Sequence, residues 1–349
     1  MPAFEDLTER ERQILANLIN YYIASADPVG SRVIANKFKM GLSSATIRNT
    51  LQDLEELGLV EQPHTSAGRV PTDIGYRVYV DYLLKPEKLS PNEEKLIRAT
   101  IQKEGRSINE LLGQTAKLLG DISNQLGVTV APRFESGTLK SIRLIPVADG
   151  RIMVIVVVGS GLARSVILEV EASVSERSLA EVESILNERL AGLSLKAVRE
   201  TISRRMADVS GNARLINLIV DSKERIWTDE RTEAIHVAGA DRLVSMPEFF
   251  DRERLSRLMK LLEDSRMLSE FFEQAQNEGL FITIGKENRL SEIINCSVVS
   301  SSYRVGNITG TIGIIGPTRM PYSKLVSIVE YTARSITEVL SGMDDAKGK

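Results

Sequence analysis

Between Pro28 and Gln52 the chain carries Arg32, Lys37, Lys39 and Arg48 and no acidic residue, whereas residues 1–85 as a whole hold 9 Lys/Arg against 11 Asp/Glu. A local cationic window in a chain of net charge −3 is the footprint expected where one face meets phosphate. Inside the window lie Ser43, Ser44, Thr46, Arg48, Asn49 and Gln52, a set of short hydroxyls, amides and a guanidinium. These groups read base edges: Arg pairs bidentately with guanine, Asn or Gln with adenine, and Ser or Thr with bases or phosphates. Arg48 and Asn49 are the candidate base readers, and Arg32, Lys37 and Lys39 the candidate phosphate contacts. His64 and Arg69, in the polar run from Pro63 to Pro71, complete the set, with Arg69 placed to reach a minor groove or its edge.

The flanking sequence supplies elements to hold these groups. Thr8 and Glu11 form a capping box opening a helix whose apolar positions Ile14, Leu15, Leu18, Ile19, Tyr22 and Ile23 recur at helical spacing, and Asp27-Pro28 ends it. Ser31 is expected to cap a short second helix. Gly41 permits a tight turn, Ser43 caps a third helix, and Gly58 ends it. Ala45, Ile47, Leu51, Leu54 and Leu57 can form the buried side of that third helix, which leaves the base-reading set on its other side, at the N-terminal half of the second helix of a helix-turn-helix. Leu59–Gln62, a polar tip and a return strand read as a β-hairpin wing, and Thr72 or Asp73 opens a further helix from Ile74 to Leu84. Glycine turns and polar helix starts also occur in small helical domains that touch no DNA; the wing and the acid-free window favour the DNA reading.

Lys85–Pro91 is the best domain boundary. A helix is expected over Ile108–Leu126, then three strands, Leu139–Val147, Ile152–Val158 and Ala163–Val170, as an antiparallel meander. Amphipathic helices follow over Leu179–Leu190, Leu195–Met206 and Ala213–Ile226, then Arg252–Glu263 and Ser265–Gln276. Strands return at Leu280–Ile284, Ser297–Val305 and Ile308–Ile315, before a last helix, Lys324–Leu340, and a polar tail from Asp344 to Lys349. Strands, a helical block, strands and a closing helix indicate an α+β domain with an insertion.

Composition and motifs argue against catalysis. The chain is 42% hydrophobic and 26% charged, as in globular proteins. One cysteine, Cys296, forms no internal disulfide, and two histidines, His64 and His236, leave too few ligands for a zinc site, so neither metal nor cofactor is expected and a reducing cytoplasm is the natural home. The N-terminus lacks the basic start of a signal peptide, and no apolar run approaches the ~18 residues of a membrane span. Gly279–Lys286 has the wrong spacing for a phosphate loop, and Glu287 stands where Ser or Thr would hold magnesium. Gly306, Gly310, Gly313 and Gly316 miss the dinucleotide spacing and read as close packing of strands. Cys296 reads as a buried thiol, and His236 as a core or rim histidine.

Leu7–Arg10, Asp27–Ser31, Ser43–Asn49 and His64–Thr72, with Tyr303–Gly306 and Gly310–Met320 near the C-terminus, together resemble the HrcA family of bacterial heat-inducible transcription repressors. The resemblance implies an α+β multidomain protein: a winged helix-turn-helix DNA-binding domain over residues 1–85, a linker over 86–104, a GAF-like domain over 105–171 and 229–343, and an inserted dimerisation domain over 172–228. It also implies a homodimer on double-stranded operator DNA, the CIRCE inverted repeat ahead of the groE and dnaK chaperone operons, with activity maintained by the GroEL chaperonin and no membrane association. The helices between Leu179 and Ile226 are the first candidates for the dimer contact, and the helix Ile74–Leu84 the second. Fold alone leaves open a small-molecule sensor sharing the same DNA-binding module.

Overall fold

The structure is a computed structural model; it describes residues 7–103, 107–148, 150–170, 174–209, 211–228, 235–274 and 279–346. The expected polar tail lies partly outside these residues, as do Asp149 and the end of the helix expected at Ser265–Gln276.

Three helices open the chain: α1 (Glu9–Ser25), α2 (Ser31–Phe38) and α3 (Ser44–Glu56). Thr8 and Glu11 make the expected capping box on α1. Ser31 does not cap α2; Gly30 stands at the cap position without a side chain to offer, and Ser31 is a buried first-turn residue. Ile14, Leu15, Leu18 and Ile19 of α1, Ile34 of α2 and Ile47, Leu51 and Leu54 of α3 are all buried and form the core of this module. Strands β1 (Val60–Glu61) and β2 (Val70–Pro71) pair antiparallel, Val60 with Pro71 and Glu61 with Val70, and make the wing. Helix α4 (Asp73–Val78) follows, capped by Thr72, and runs into a single π-turn over Tyr79–Leu83.

The segment expected as a linker contains a helix, α5 (Pro91–Ile101), opened by a second capping box, Ser90 with Glu93. Glu93 also meets Lys324, and the hydrogen bonds from Lys324 and Ser90 hold its carboxyl down to about 2. Helix α6 (Ile108–Ser123) stops short of Leu126, which begins a fully buried strand, β3 (Leu126–Val130).

Contacts divide the chain into two compact units, and the division differs from the expected boundaries. The second comprises residues 130–234, 303–310 and 334–349. Its antiparallel sheet, β4 (Leu139–Ala148), β5 (Arg151–Val158) and β6 (Ala163–Glu169), shares one core with α7 (Glu176–Leu190), α8 (Leu195–Met206), α9 (Ala213–Asp221) and α10 (Lys223–Trp227). The meander therefore belongs with the helices of residues 172–228 and not with the strands further on. Leu179, Val182, Leu186, Leu190, Val198 and Ile202 are buried against Ile142, Val154 and Val156, so the apolar stripes of these helices serve their own core. Apolar groups remain on the outer face of the sheet, where Ile145, Met153 and Ile167 lie in one cross-strand row and Ile145, Val147 and Ile167 are exposed.

The first unit comprises residues 1–129, 235–302 and 311–333. Beyond the winged module it holds most of a five-stranded sheet in the order β7 (Ile235–Ala238), β3, β10 (Ile308–Pro317), β9 (Cys296–Val305), β8 (Leu280–Ile284). Strand β7 contains His236, whose imidazole meets Asn109 Oδ1 at 2.8 Å and whose burial lowers its pKa. Helices α11 (Ala240–Val244), α12 (Arg252–Glu263), α13 (Ser265–Gln274) and α14 (Tyr322–Ala346) complete the order. The glycines of β10 act as packing residues: a Cβ at Gly313 would lie 2.7 Å from the Phe272 ring.

Candidate nucleic-acid interface

Helix α3 separates its residue types by face. Ile47, Thr50, Leu51 and Leu54 are buried, while Ala45, Arg48, Asn49 and Gln52, at the i, i+3, i+4, i+7 spacing of one helical stripe, are exposed; Ala45 thus lies on the outer stripe and not on the expected buried side, where Thr50 packs, and Leu57 is half-buried. The burial that fixes the first set also orients the second, because a helix rotation that exposed the stripe less would withdraw leucine and isoleucine from the core. Arg48 and Asn49 are adjacent on the surface, at a width an α-helix presents to a major groove.

The start of this helix is held by side chains. Ser43 Oγ accepts the Thr46 backbone N–H at 3.1 Å and lies 2.9 Å from Thr46 Oγ1. Thr50 Oγ1 donates to the Thr46 carbonyl at 3.2 Å. Ser43 is thus cap and exposed group at once, whereas Thr46 and Ser44 are half-buried. Gln52 donates to Glu56 Oε1 at 3.3 Å, so its amide is oriented from below while its other donor and its carbonyl stay available. Asp53 and Glu56, both exposed, place negative charge toward the C-terminal half of α3.

Arg32 and Lys37 project from α2 and are exposed. Lys39 is exposed and closes α2 in the left-handed region at φ 45°, followed by Gly41 at φ 68°, so a cation sits on the turn between the two helices. Together these three put exposed positive charge on α2 and the turn into α3 without an acidic residue among them, as the sequence indicates.

The wing divides its two candidates. His64 is exposed in the tip, where Gln62 Nε2 holds the turn by donating to the Thr65 and Ala67 carbonyls at 3.0 and 2.9 Å. Arg69 sits at the base. Its backbone exchanges hydrogen bonds with Val29, at 2.8 and 2.9 Å, and its guanidinium meets Glu55 of α3 at 2.8 Å with the side chain only 20% exposed. The neighbouring Gly68 permits this approach, since a Cβ there would lie 2.4 Å from the Val29 carbonyl carbon. Arg69 thus ties the base of the wing to α3. Glu55, its partner, is a functional neighbour that the sequence reading missed.

Among the described residues no group of three or more His, Cys, Asp or Glu could hold a metal ion, and no helix is long and apolar enough to cross a membrane. Cys296 is buried, and that burial pushes its thiol up to about 12.

A family model described as "Winged helix-turn-helix transcription repressor, HrcA DNA-binding" matches residues 6–81, and one described as "HrcA protein C terminal domain" matches residues 109–326. The chain is 40% identical over 344 residues to the heat-inducible transcription repressor HrcA of Chlorobium chlorochromatii, covering 97% of this chain and 99% of the relative. It is 35% identical over 346 residues to the protein of that name from Pelotomaculum thermopropionicum, covering 98% and 99%. A crystal structure of a hypothetical protein superposes with a TM-score of 0.61 at 23% identity, over 97% of this chain and 99% of that one, which is a likeness of fold.

Proposed function

The chain belongs to the HrcA family of heat-inducible transcription repressors, and from that premise we propose that it binds an inverted-repeat operator as a twofold dimer, the CIRCE element ahead of the groE and dnaK chaperone operons. The observation that carries this reading is the exposed Arg48, Asn49, Gln52 stripe of α3, set opposite a buried face, with Arg32, Lys37 and Lys39 exposed on the preceding helix and turn. In this reading Arg48 and Asn49 read bases in the major groove. Ser43, Ser44, Thr46 and Gln52 add contacts at its edge, His64 contacts the flanking groove, and Arg32, Lys37 and Lys39 hold phosphate.

One recognition helix contacts only a few base pairs, whereas a twofold dimer doubles the site and makes the operator mirror the protein's symmetry. The outward sheet face bearing Ile145, Met153 and Ile167 supports a contact with a second copy, because the helices' own stripes are already buried. The five-stranded body with its closing helix serves as the GAF-like domain. Bound to its operator, the dimer blocks transcription. GroEL maintains the active fold, and heat-damaged clients that occupy the chaperonin lower active repressor and release the operons; a stability of only a few kcal/mol makes the active fraction responsive to both.

Operator titration before and after a heat step, with GroEL and ATP added or withheld during recovery, tests this. Recovery of binding only with the chaperonin supports the feedback; equal recovery without it refutes that part and leaves the repressor itself standing.

A further inference from the structure

The winged module is fastened to the rest of the first unit through α1, α4 and the connecting segment, and the fastening is mostly polar. Asp73 and Arg77 stand four residues apart on α4. Asp73 Oδ2 accepts the Lys286 backbone N–H at 3.0 Å, and Arg77 Nε donates to Glu287 Oε1 at 2.8 Å. A second guanidinium nitrogen of Arg77 donates to the Ile282 carbonyl at 2.7 Å and also meets Glu287 Oε2, and the third meets Asp81. On the other flank Arg319 donates to the Ile23 carbonyl at 2.7 Å while its Nε meets Glu248 at 2.7 Å. Helix α1 has no basic residue in its last turn, so Arg319, from the Thr318-Arg319-Met320 run, supplies from a distant part of the chain the cation that its unsatisfied carbonyls favour. Between the two flanks the buried rings of Tyr76 and Tyr322 meet with centroids 5.8 Å apart. Even the connecting segment is stitched down: Glu87 N–H donates to the Ser323 carbonyl at 3.0 Å, and Ser323 Oγ to the Lys85 carbonyl.

None of these groups belongs to α2, α3 or the wing tip, yet they decide how firmly the α3 stripe is aimed. A chain held only by residues 84–90 would leave each winged module on a tether with a root-mean-square span of roughly 15 Å. Half-sites of an inverted repeat are read at one separation because both recognition helices are held at one separation. Resting on the dimeric reading above, we propose that Arg77 with Glu287 and Asp73, together with Arg319, form a clasp that fixes operator spacing. Arg77 and Arg319 are thus positioning residues for half-site separation and not for base sequence. Substituting them widens the range of spacings accepted and leaves recognition of a single half-site intact.

The test uses the full chain and an inverted repeat that the wild-type protein selects from random DNA, with the spacer between half-sites varied up to about five base pairs, half a helical turn. Arg77→Glu, Arg319→Met and the exchanged pair Arg77→Glu with Glu287→Arg are compared with wild type on these sites and on one isolated half-site. The two single variants are expected to bind the half-site within about twofold of wild type, to lose about tenfold or more on the selected spacing, and to show a flattened spacing profile. The exchanged pair is expected to regain part of the sharp profile, and Arg319→Met tests the other flank independently. A single variant that keeps the wild-type profile while binding the half-site normally overturns the clasp. Loss of half-site binding in both single variants overturns it too, because the groups would then serve the module's own fold. Wild-type protein that binds half-site and full site equally overturns the dimeric reading and, with it, the role of the clasp.

Discussion

Ser43 offers a perturbation in which capping and DNA contact separate. Its Oγ accepts the Thr46 N–H at 3.1 Å and pairs with Thr46 Oγ1 at 2.9 Å, so Ser43→Ala removes one cap bond and leaves an orphan N–H at the mouth of the recognition helix. That loss costs about 1 kcal/mol of stability in the winged module. Ser43→Asp keeps the cap, and its charge favours the helix N-terminus, so stability stays within a few tenths of a kcal/mol of wild type. Against DNA the order reverses. A carboxylate roughly 7 Å from a phosphate is repelled by about 0.6 kcal/mol in water for each phosphate faced, and two or three such neighbours bring the cost to roughly 1 to 2 kcal/mol at low salt. Hydrogen exchange of the α1–α3 amides across a urea series reads the first quantity, and fluorescence anisotropy with labelled operator reads the second. The account expects Ala to weaken the fold more and Asp to weaken binding more. Wild-type operator affinity in the folded Asp variant would refute the placement of the α3 N-terminus against the DNA backbone.

Further substitutions sort the remaining groups. Arg48→Ala and Asn49→Ala are expected to cost about 1 to 3 kcal/mol each and to relax preference at one base position, read by competition with single-base operator variants. Arg32→Ala and Lys37→Ala should weaken binding to every sequence alike and flatten the log–log salt slope by about one unit. Arg69→Met should leave the salt slope unchanged and lower stability by about 1 kcal/mol through loss of its pair with Glu55; a slope change of a full unit would add Arg69 to the phosphate contacts. The Cys296 thiol, raised to about 12 by burial, should resist alkylation at pH 8 until the chain is unfolded. Its folded value exceeds its unfolded one, so the stabilisation linked to the protonated thiol is present below about 9 and is lost as pH rises toward 12, measurable as a falling urea midpoint.

Local signals were legible where the physics is local. The Thr8–Glu11 capping box, the Ser43 cap and the wing pairing depend on neighbours a few residues away, and the structure has them where the sequence indicates. The same rule applies at Ser90 and Glu93, but the flanking prolines and charges are equally the composition of a linker, so α5 does not stand out in the sequence. Strand β3 escapes the sequence because a short apolar run adjoining an amphipathic helix carries no period of its own, and only its first residue, Leu126, falls within the expected helix. Tertiary matters were not legible. Nothing near Arg69 in sequence indicates Glu55 as its partner, and apolar alternation in β4–β6 specifies a buried face without saying which helices cover it. For the site, exposure of Arg48, Asn49 and Gln52 followed from helical periodicity, whereas the pairing of Arg69 with Glu55 required the fold.

The most direct measurement is a footprint of the full-length chain on a selected inverted repeat, with base-methylation interference, for wild type and for the Arg48→Ala, Asn49→Ala double variant. The account predicts two symmetric protected half-sites whose critical guanine N7 positions face the major groove, with interference lost at matching positions in both halves of the double variant. A footprint on one half only, or symmetric interference unchanged by the two substitutions, would contradict it.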